Sequence, residues 1–346
     1  MYYTNKSIVQ CHSGDVLASD IYSTDGNSLI LSKGSVLNEY IMQRLQDMGI
    51  KTVRVCQYSG EEVPSRYKEV QEKYREMVSL TKGIFQEIVA GKTLNYNDLS
   101  YVADQIQSSI QDDGNIIRCI SEIYKVDEYT YYHSINVAFY SMLIASWLKL
   151  PKAGIRKSVV AGLLHDIGKT RIPDELLNKK GKLTQEEIEI LRSHPVHGYE
   201  IADGVDLIDQ DIKAAILHHH ERLDGSGYPF HYHDRNINLY SRIVAVADVF
   251  DAMTSERVYK ERNTPFEVFE MFTLEGPAIF DLSILNLFMR KMTNYLIGSR
   301  VQLSNGETGD VVYVPYQCME SPIIQVADRY IDLADDDNGV KIIRML

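Results

Sequence analysis

The feature that most constrains this chain is a set of ionisable side chains placed inside, or at the ends of, apolar helical runs. VVAGLLHDIGK carries His165 and Asp166 at its close, and IKAAILHHHE ends in His218, His219, His220 and Glu221. Asp248 lies in IVAVADVFDAMTS, where a lone carboxylate would be costly to bury. A metal ion offsets that cost directly; without one, Asp248 needs a buried partner. Imidazole and carboxylate are both ligands of first-row metals, so hydrolysis at a metal centre is the first chemical expectation.

Taken alone, the His165-Asp166 pair reads as a helix-terminal histidine beside a solvated carboxylate. The rest of the chain shifts that balance. His133 sits near the start of another apolar helix, YYHSINVAFYSMLIA, and His194 precedes a proline in RSHPVHGYEIA. Successive helical residues point about 100° apart, so His165 and Asp166 can address different parts of one cluster. A carboxylate at Asp166 can bridge two cations, whereas a neutral imidazole binds one.

Periodicity divides the 346 residues into four regions and predicts a mainly α protein. Residues 1–58 read as a small α+β module, with a hairpin turn at Asp25-Gly26-Asn27 and a helix from Asn38 to Gly49. Residues 59–113 form a polar helical packing region in which Val70, Tyr74 and Val78 recur at helical spacing. Such a stripe packs on a neighbouring domain or joins two copies as a homodimer. Residues 114–296 are the helical catalytic domain, and residues 297–346 a small β-rich extension with a hairpin at Asn305-Gly306.

Net charge of −12 argues against binding polymeric nucleic acid or anionic membranes through the whole surface. The apolar stretch Val137–Leu150 is interrupted and too short to span a membrane, and MYYTNKSIVQ has no signal-peptide pattern. Four scattered cysteines, Cys11, Cys56, Cys119 and Cys318, read as free thiols. A cytoplasmic location is expected, without membrane insertion.

Three motifs carry a resemblance to a known family: HDIGK at 165–169, HHERLDGSGYP at 219–229 and ADVFDAMTSERVYK at 247–260. Over about residues 115–300 the chain resembles the HD-GYP family, the bacterial branch of the HD phosphohydrolases. The resemblance implies a helical HD-type bundle and hydrolysis of cyclic di-GMP to pGpG, with a slower second cut to GMP. Carried over, it places metal ligands at His133, His165, Asp166, His194, His219, His220 and Asp248, with Asp166 between two metals. Members with a third metal have a glutamate one turn before the first histidine; Tyr129 stands there, with Glu128 off by one. Two divalent ions are therefore expected, iron or manganese suiting mixed His/carboxylate ligation better than magnesium.

The resemblance also assigns substrate groups. Lys169 follows Asp166 by one turn and is expected to face the same cleft as a catalytic and phosphate-binding group. Arg257 and Lys260 fall on phosphate-binding positions, and Tyr228 on one lining the substrate pocket. Gly225 and Gly227 are expected to supply positive φ. Asp251 and Glu221 are expected to support the ligands from behind, and His218 and His197 to stand beside the site. His12, His231 and His233 read as solvated. Two metals would lower the pKa of a bound water and clamp phosphate oxygens. Rival readings are a catalytically silent cyclic di-GMP receptor, an enzyme for another cyclic dinucleotide such as 3′,3′-cyclic GMP-AMP, and a generic HD nucleotidase. Diguanylate cyclase domains are natural partners for such a protein.

Overall fold

The structure, a computed structural model, describes residues 2–23, 29–57, 63–123, 128–255, 262–335 and 339–346. The chain divides into two compact units. One holds Met1–Val63, Asn263–Met271 and Phe288–Leu346; the other holds Pro64–Arg262 and Phe272–Leu287.

The first unit opens with β1 (Tyr2–Ser7), β2 (Val16–Leu17), β3 (Ile21–Tyr22), β4 (Leu29–Leu31), α1 (Glu39–Asp47) and β5 (Thr52–Gln57). β5 is the middle strand between β1 and β2, and β3 pairs with β4 in a separate ribbon. The Asp25-Gly26-Asn27 turn between those two lies outside the described residues. α1 begins where the sequence places it, because the Asn38 side chain accepts the Ile41 N–H at 2.8 Å. Later in the chain come β6 (Arg300–Leu303), β7 (Thr308–Tyr313), β8 (Ile323–Val326), β9 (Arg329–Asp332) and β10 (Ile342–Met345). They make one antiparallel sheet in the order β10-β6-β7-β8-β9, and the β6–β7 turn contains Asn305-Gly306.

The terminal regions are not two separate modules, as the periodicity suggests. Leu17, Leu37, Ile41 and Val55 share one apolar core with Val312, Tyr313 and Ile323. Each alone would leave a sheet face in water; together they bury it. Asn38 Nδ2 also donates to the Val312 carbonyl at 2.8 Å, joining positions 274 residues apart.

The second unit is helical. Its elements are α2 (Val63–Val89), α3 (Tyr96–Ser108), α4 (Asp113–Glu122), α5 (Tyr129–Trp147), α6 (Lys152–Leu164), α7 (Asp174–Leu177), α8 (Gln185–Arg192), α9 (His194–Asp203), α10 (Gln210–His218) and α11 (Leu239–Thr254). The chain continues through α12 (Pro265–Leu274), α13 (Gly276–Ile279) and α14 (Leu282–Leu296), which divide between the units. α5 buries every residue from Tyr132 to Ala145, as a helix apolar on all faces must. α2 belongs with this bundle: Val70, Tyr74 and Val78 are buried, and the Tyr74 ring packs on Phe139 of α5 at 6.0 Å. The apolar stripe of α2 is thus used within the chain. Among the described residues no helix is long and apolar enough to cross a membrane.

Candidate metal centre

Five helices deliver the cluster. α5 contributes His133; the end of α6 contributes His165 and Asp166; α9 begins with His194; and α11 contributes Asp248. His219 and His220 follow directly on α10. Side chains of three overlapping sets lie close enough to hold a cation: His133, His165 and Asp166; Asp166, His194, His219 and His220; and His165, His219 and Asp248. The structure therefore brings together all seven residues singled out as ligands. Asp166 belongs to two of the sets.

The imidazoles are locked in orientation. Nδ1 of His165, His194 and His219 lies 2.7 Å from the carbonyls of Gly162, Leu191 and Ile216 respectively. His133 Nδ1 lies 2.7 Å from Asp251 Oδ2. Carbonyl and carboxylate oxygens only accept, so each Nδ1 carries a proton and each ring turns its Nε2 inward. Those nitrogens meet in pairs: His133 with His165 and His194 with His219, both at 3.3 Å. Facing lone pairs repel unless a cation or proton lies between them. Asp166 Oδ1 is buried without a hydrogen bond although His194 Nε2 is 3.2 Å away. This donor set fits a metal.

Electrostatics agree. Burial alone would raise the Asp166 carboxyl, but Lys169 and His165 hold it well below the usual carboxylate range. Burial opposes ionisation of Asp248 too, and His133 and His165 more than offset it. Burial pushes His219 and His220 well below the ordinary imidazole value, aided by their histidine neighbours. His133 is the exception: burial would lower it, yet hydrogen bonds to Asp248 and Asp251 push it up to about 9. A bound cation would take the place of that proton.

Lys169 lies on the short 3-10 segment Ile167–Arg171, with Nζ 2.5 Å from Asp166 Oδ2, so it reaches the cleft as expected. Gly168 lets this segment approach α9: a Cβ there would lie 1.9 Å from the His194 carbonyl oxygen. Tyr228 stacks on His220, centroids 4.6 Å apart, with the Arg192 guanidinium 5.1 Å over its other neighbourhood. Tyr129 stacks on His133 at 5.2 Å and 12°, filling the position one turn before it with an aromatic ring. Arg257 and Lys260 lie outside the described residues.

Two expectations, for Gly227 and Glu221, need correction. Gly225 has φ of +81°, but Gly227 is not in the positive-φ region; it is needed because a Cβ would lie 2.4 Å from the His220 oxygen and the Arg222 nitrogen. Glu221 does not orient ligand histidines. Buried, it accepts the backbone N–H groups of Phe230 at 2.7 Å and Tyr232 at 3.0 Å, closing the loop that carries Tyr228. His218 joins none of the ligand sets and packs on Tyr232 at 5.2 Å. His197 likewise stands apart, 3.7 Å from Glu200. Asn136 and Arg192 escaped the sequence reading, since neither falls in a motif.

Residues 119–284 match the family described as HD domain. That stretch of the chain is an HD domain. The chain's HDIGK and GSGYP motifs resemble those of the HD-GYP branch. It is 34% identical over 243 residues to a Pseudomonas aeruginosa protein named cyclic di-GMP phosphodiesterase PA4108, covering 70% of this chain and 58% of that one. It is 33% identical over 165 residues to a Vibrio cholerae protein named 3′3′-cGAMP-specific phosphodiesterase 2, covering 47% and 32%. The HD-domain chain thus spans well under two thirds of either relative. Among solved structures, Bd1817, an HDG"Y"P protein from Bdellovibrio bacteriovorus, shares the fold with a TM-score of 0.53. Its sequence is 15% identical, and the alignment covers 83% of this chain and 98% of that one.

Proposed function

We propose that this chain hydrolyses cyclic di-GMP, using two divalent cations, iron or manganese, held by His133, His165, Asp166, His194, His219, His220 and Asp248. The observation that carries the reading is the inward convergence of four Nε2 atoms on two buried carboxylates. Asp166 serves both halves of the cluster, which suits a residue lying between two ions. The Tyr129 ring beside His133 supports two ions rather than three. Bound cations would supply Lewis acidity toward phosphate and a water of lowered pKa.

The chain's own side chains do the rest. The Nδ1 hydrogen bonds keep a proton on Nδ1 and hold four imidazoles aimed, so little reorganisation is needed when ligand arrives. The Lys169 ammonium, already beside Asp166, would neutralise phosphate charge, and it or a metal-bound water would donate the proton to the leaving 3′ oxygen. Tyr228 offers an aromatic wall beside His220. Arg257 and Lys260 take phosphate on the strength of their motif positions, Arg257 through a bidentate fork. Arg257→Ala is expected to raise KM about tenfold or more while metal content stays at the wild-type level, which steady-state kinetics and metal analysis will check.

The deciding experiment measures metal content and cyclic di-GMP turnover on one anaerobically purified sample. Two equivalents per chain and conversion to pGpG, lost on chelation and restored by manganese or ferrous iron, are expected. Three equivalents would overturn the metal count. Bound metal with tight cyclic di-GMP binding but no cleavage would make the chain a receptor. The name of the Vibrio relative favours a second substrate, 3′,3′-cyclic GMP-AMP, and competition between the two dinucleotides separates them.

A further inference from the structure

α2 lies outside the residues matched to the HD domain, yet one of its side chains is hydrogen-bonded into the metal centre. Tyr74 is completely buried, and its Oη lies 2.5 Å from Asn136 Oδ1. Asn136 Nδ2 lies 2.9 Å from Asp251 Oδ1, and Asp251 Oδ2 lies 2.7 Å from His133 Nδ1. At the far side of that ring, His133 Nε2 faces Asp248 at 3.1 Å and His165 at 3.3 Å. One unbroken chain of hydrogen bonds runs from α2, through α5 and α11, to a ligand nitrogen.

Its polarity is forced. The Asp251 carboxylate only accepts, so Asn136 must present its NH2 and His133 its Nδ1–H. Asn136 Oδ1 is then left facing Tyr74 and needs a donor, which the phenol supplies. Burial and the nearby Asp251 charge keep that phenol protonated, so it stays a donor. Each link therefore fixes the next, ending with the His133 lone pair on the ligand side.

We propose that Tyr74 is a positioning residue for the metal centre, acting through Asn136 and Asp251 to hold the tautomer and aim of His133. The proposal rests on the metal reading given above. It makes the 59–113 region, which carries no motif, part of the site's support. The phenol acts through two intermediaries and touches neither metal nor substrate.

Tyr74→Phe removes the hydroxyl and keeps the ring that packs on Phe139 and Tyr132. Manganese affinity of the full chain, measured by titration calorimetry, is expected to fall about tenfold, the range of effects found when the outer partners of ligating histidines are lost. Asn136→Ala, which cuts the next link without touching the tyrosine, should lose a similar factor and serves if Tyr74→Phe does not fold. In an Asp251→Ala background, Tyr74→Phe should cause no further loss. Phe139→Leu, which alters packing alone, should lower the unfolding temperature and leave affinity unchanged. In metal-free protein held above the His133 value of about 9, where the ring has lost its second proton, nitrogen-15 shifts of His133 should move from the Nδ1–H form toward a mixture in Tyr74→Phe.

Wild-type manganese affinity and unchanged His133 shifts in Tyr74→Phe would overturn the proposal. So would an undiminished loss in the Asp251→Ala background, because the effect would then travel through packing. Wild-type protein that binds manganese without cleaving cyclic di-GMP rejects the substrate reading and leaves this inference standing. Wild-type protein that binds no manganese or iron overturns both.

Discussion

Asp166→Ala is expected to abolish phosphodiesterase activity, by at least about a thousandfold, and to empty the metal centre in the same step. The carboxylate is the only residue present in both the set built round His133 and the set built round His194. Removing it leaves the paired imidazoles with one fewer negative charge among them, and frees Lys169 from its 2.5 Å contact to project a competing positive charge. Both changes disfavour a cation. Asp166→Asn separates charge from shape: it keeps the volume, loses the anion and should behave like alanine in metal content. Inductively coupled plasma analysis beside a turnover assay reads both quantities. Retention of full metal content and activity by either variant would falsify the dinuclear reading.

The second large effect is expected at a residue with no metal contact. Glu221→Ala removes the acceptor of two loop N–H groups, those of Phe230 and Tyr232. Leaving part-buried donors unpaired costs about 1–3 kcal/mol in total, which for a unit of this size lowers the unfolding temperature by roughly 3–8 °C. The functional effect follows from what the loop carries. Tyr228 stacks on His220 only while the chain returns over Gly227, so an opened loop loses the aromatic wall. KM should rise about tenfold, with kcat less affected and the His133 half of the centre still able to take metal. Glu221→Gln gives a partial rescue, since its amide can accept one N–H and opposes the other. A KM equal to wild type in the alanine variant would show that the loop is held by other means.

How much of this was legible in the sequence depends on the range of the interaction. The seven clustered residues were: ionisable groups stand out at helix ends and inside apolar runs, and the resemblance to the HD-GYP motifs completed the set. Asp248 is the clearest case: the cost of burying it announces a partner, and the structure supplies His133 at 3.1 Å. The helix start at Asn38 and the hairpin at Asn305-Gly306 were legible for a local reason, being set by one cap and one turn. Tyr74 was not. Spacing marks it as one member of an apolar stripe, and nothing in that stripe distinguishes a hydroxyl that meets Asn136 from one that meets water. Glu221 was placed in the right neighbourhood with the wrong task, because its acceptors' partners lie nine and eleven residues ahead in a loop without periodicity. Gly168 was similarly silent: the sequence shows a helix end, and only the packed structure shows the His194 carbonyl filling the space a side chain would need.

The shared core of the two terminal regions bears on the order in which the protein is made. Leu17, Ile41 and Val55 leave the ribosome long before the partners that complete their core, Val312, Tyr313 and Ile323. The helical unit, whose contacts are contained mostly in the intervening stretch, can close while the first strands still wait. For that interval the N-terminal segment presents an unfinished apolar face and the open edge of β1, the kind of surface on which nascent chains associate. Chaperone demand during synthesis is therefore greatest in the interval between β5 and β8, and the exposed face is covered only when β8 is translated.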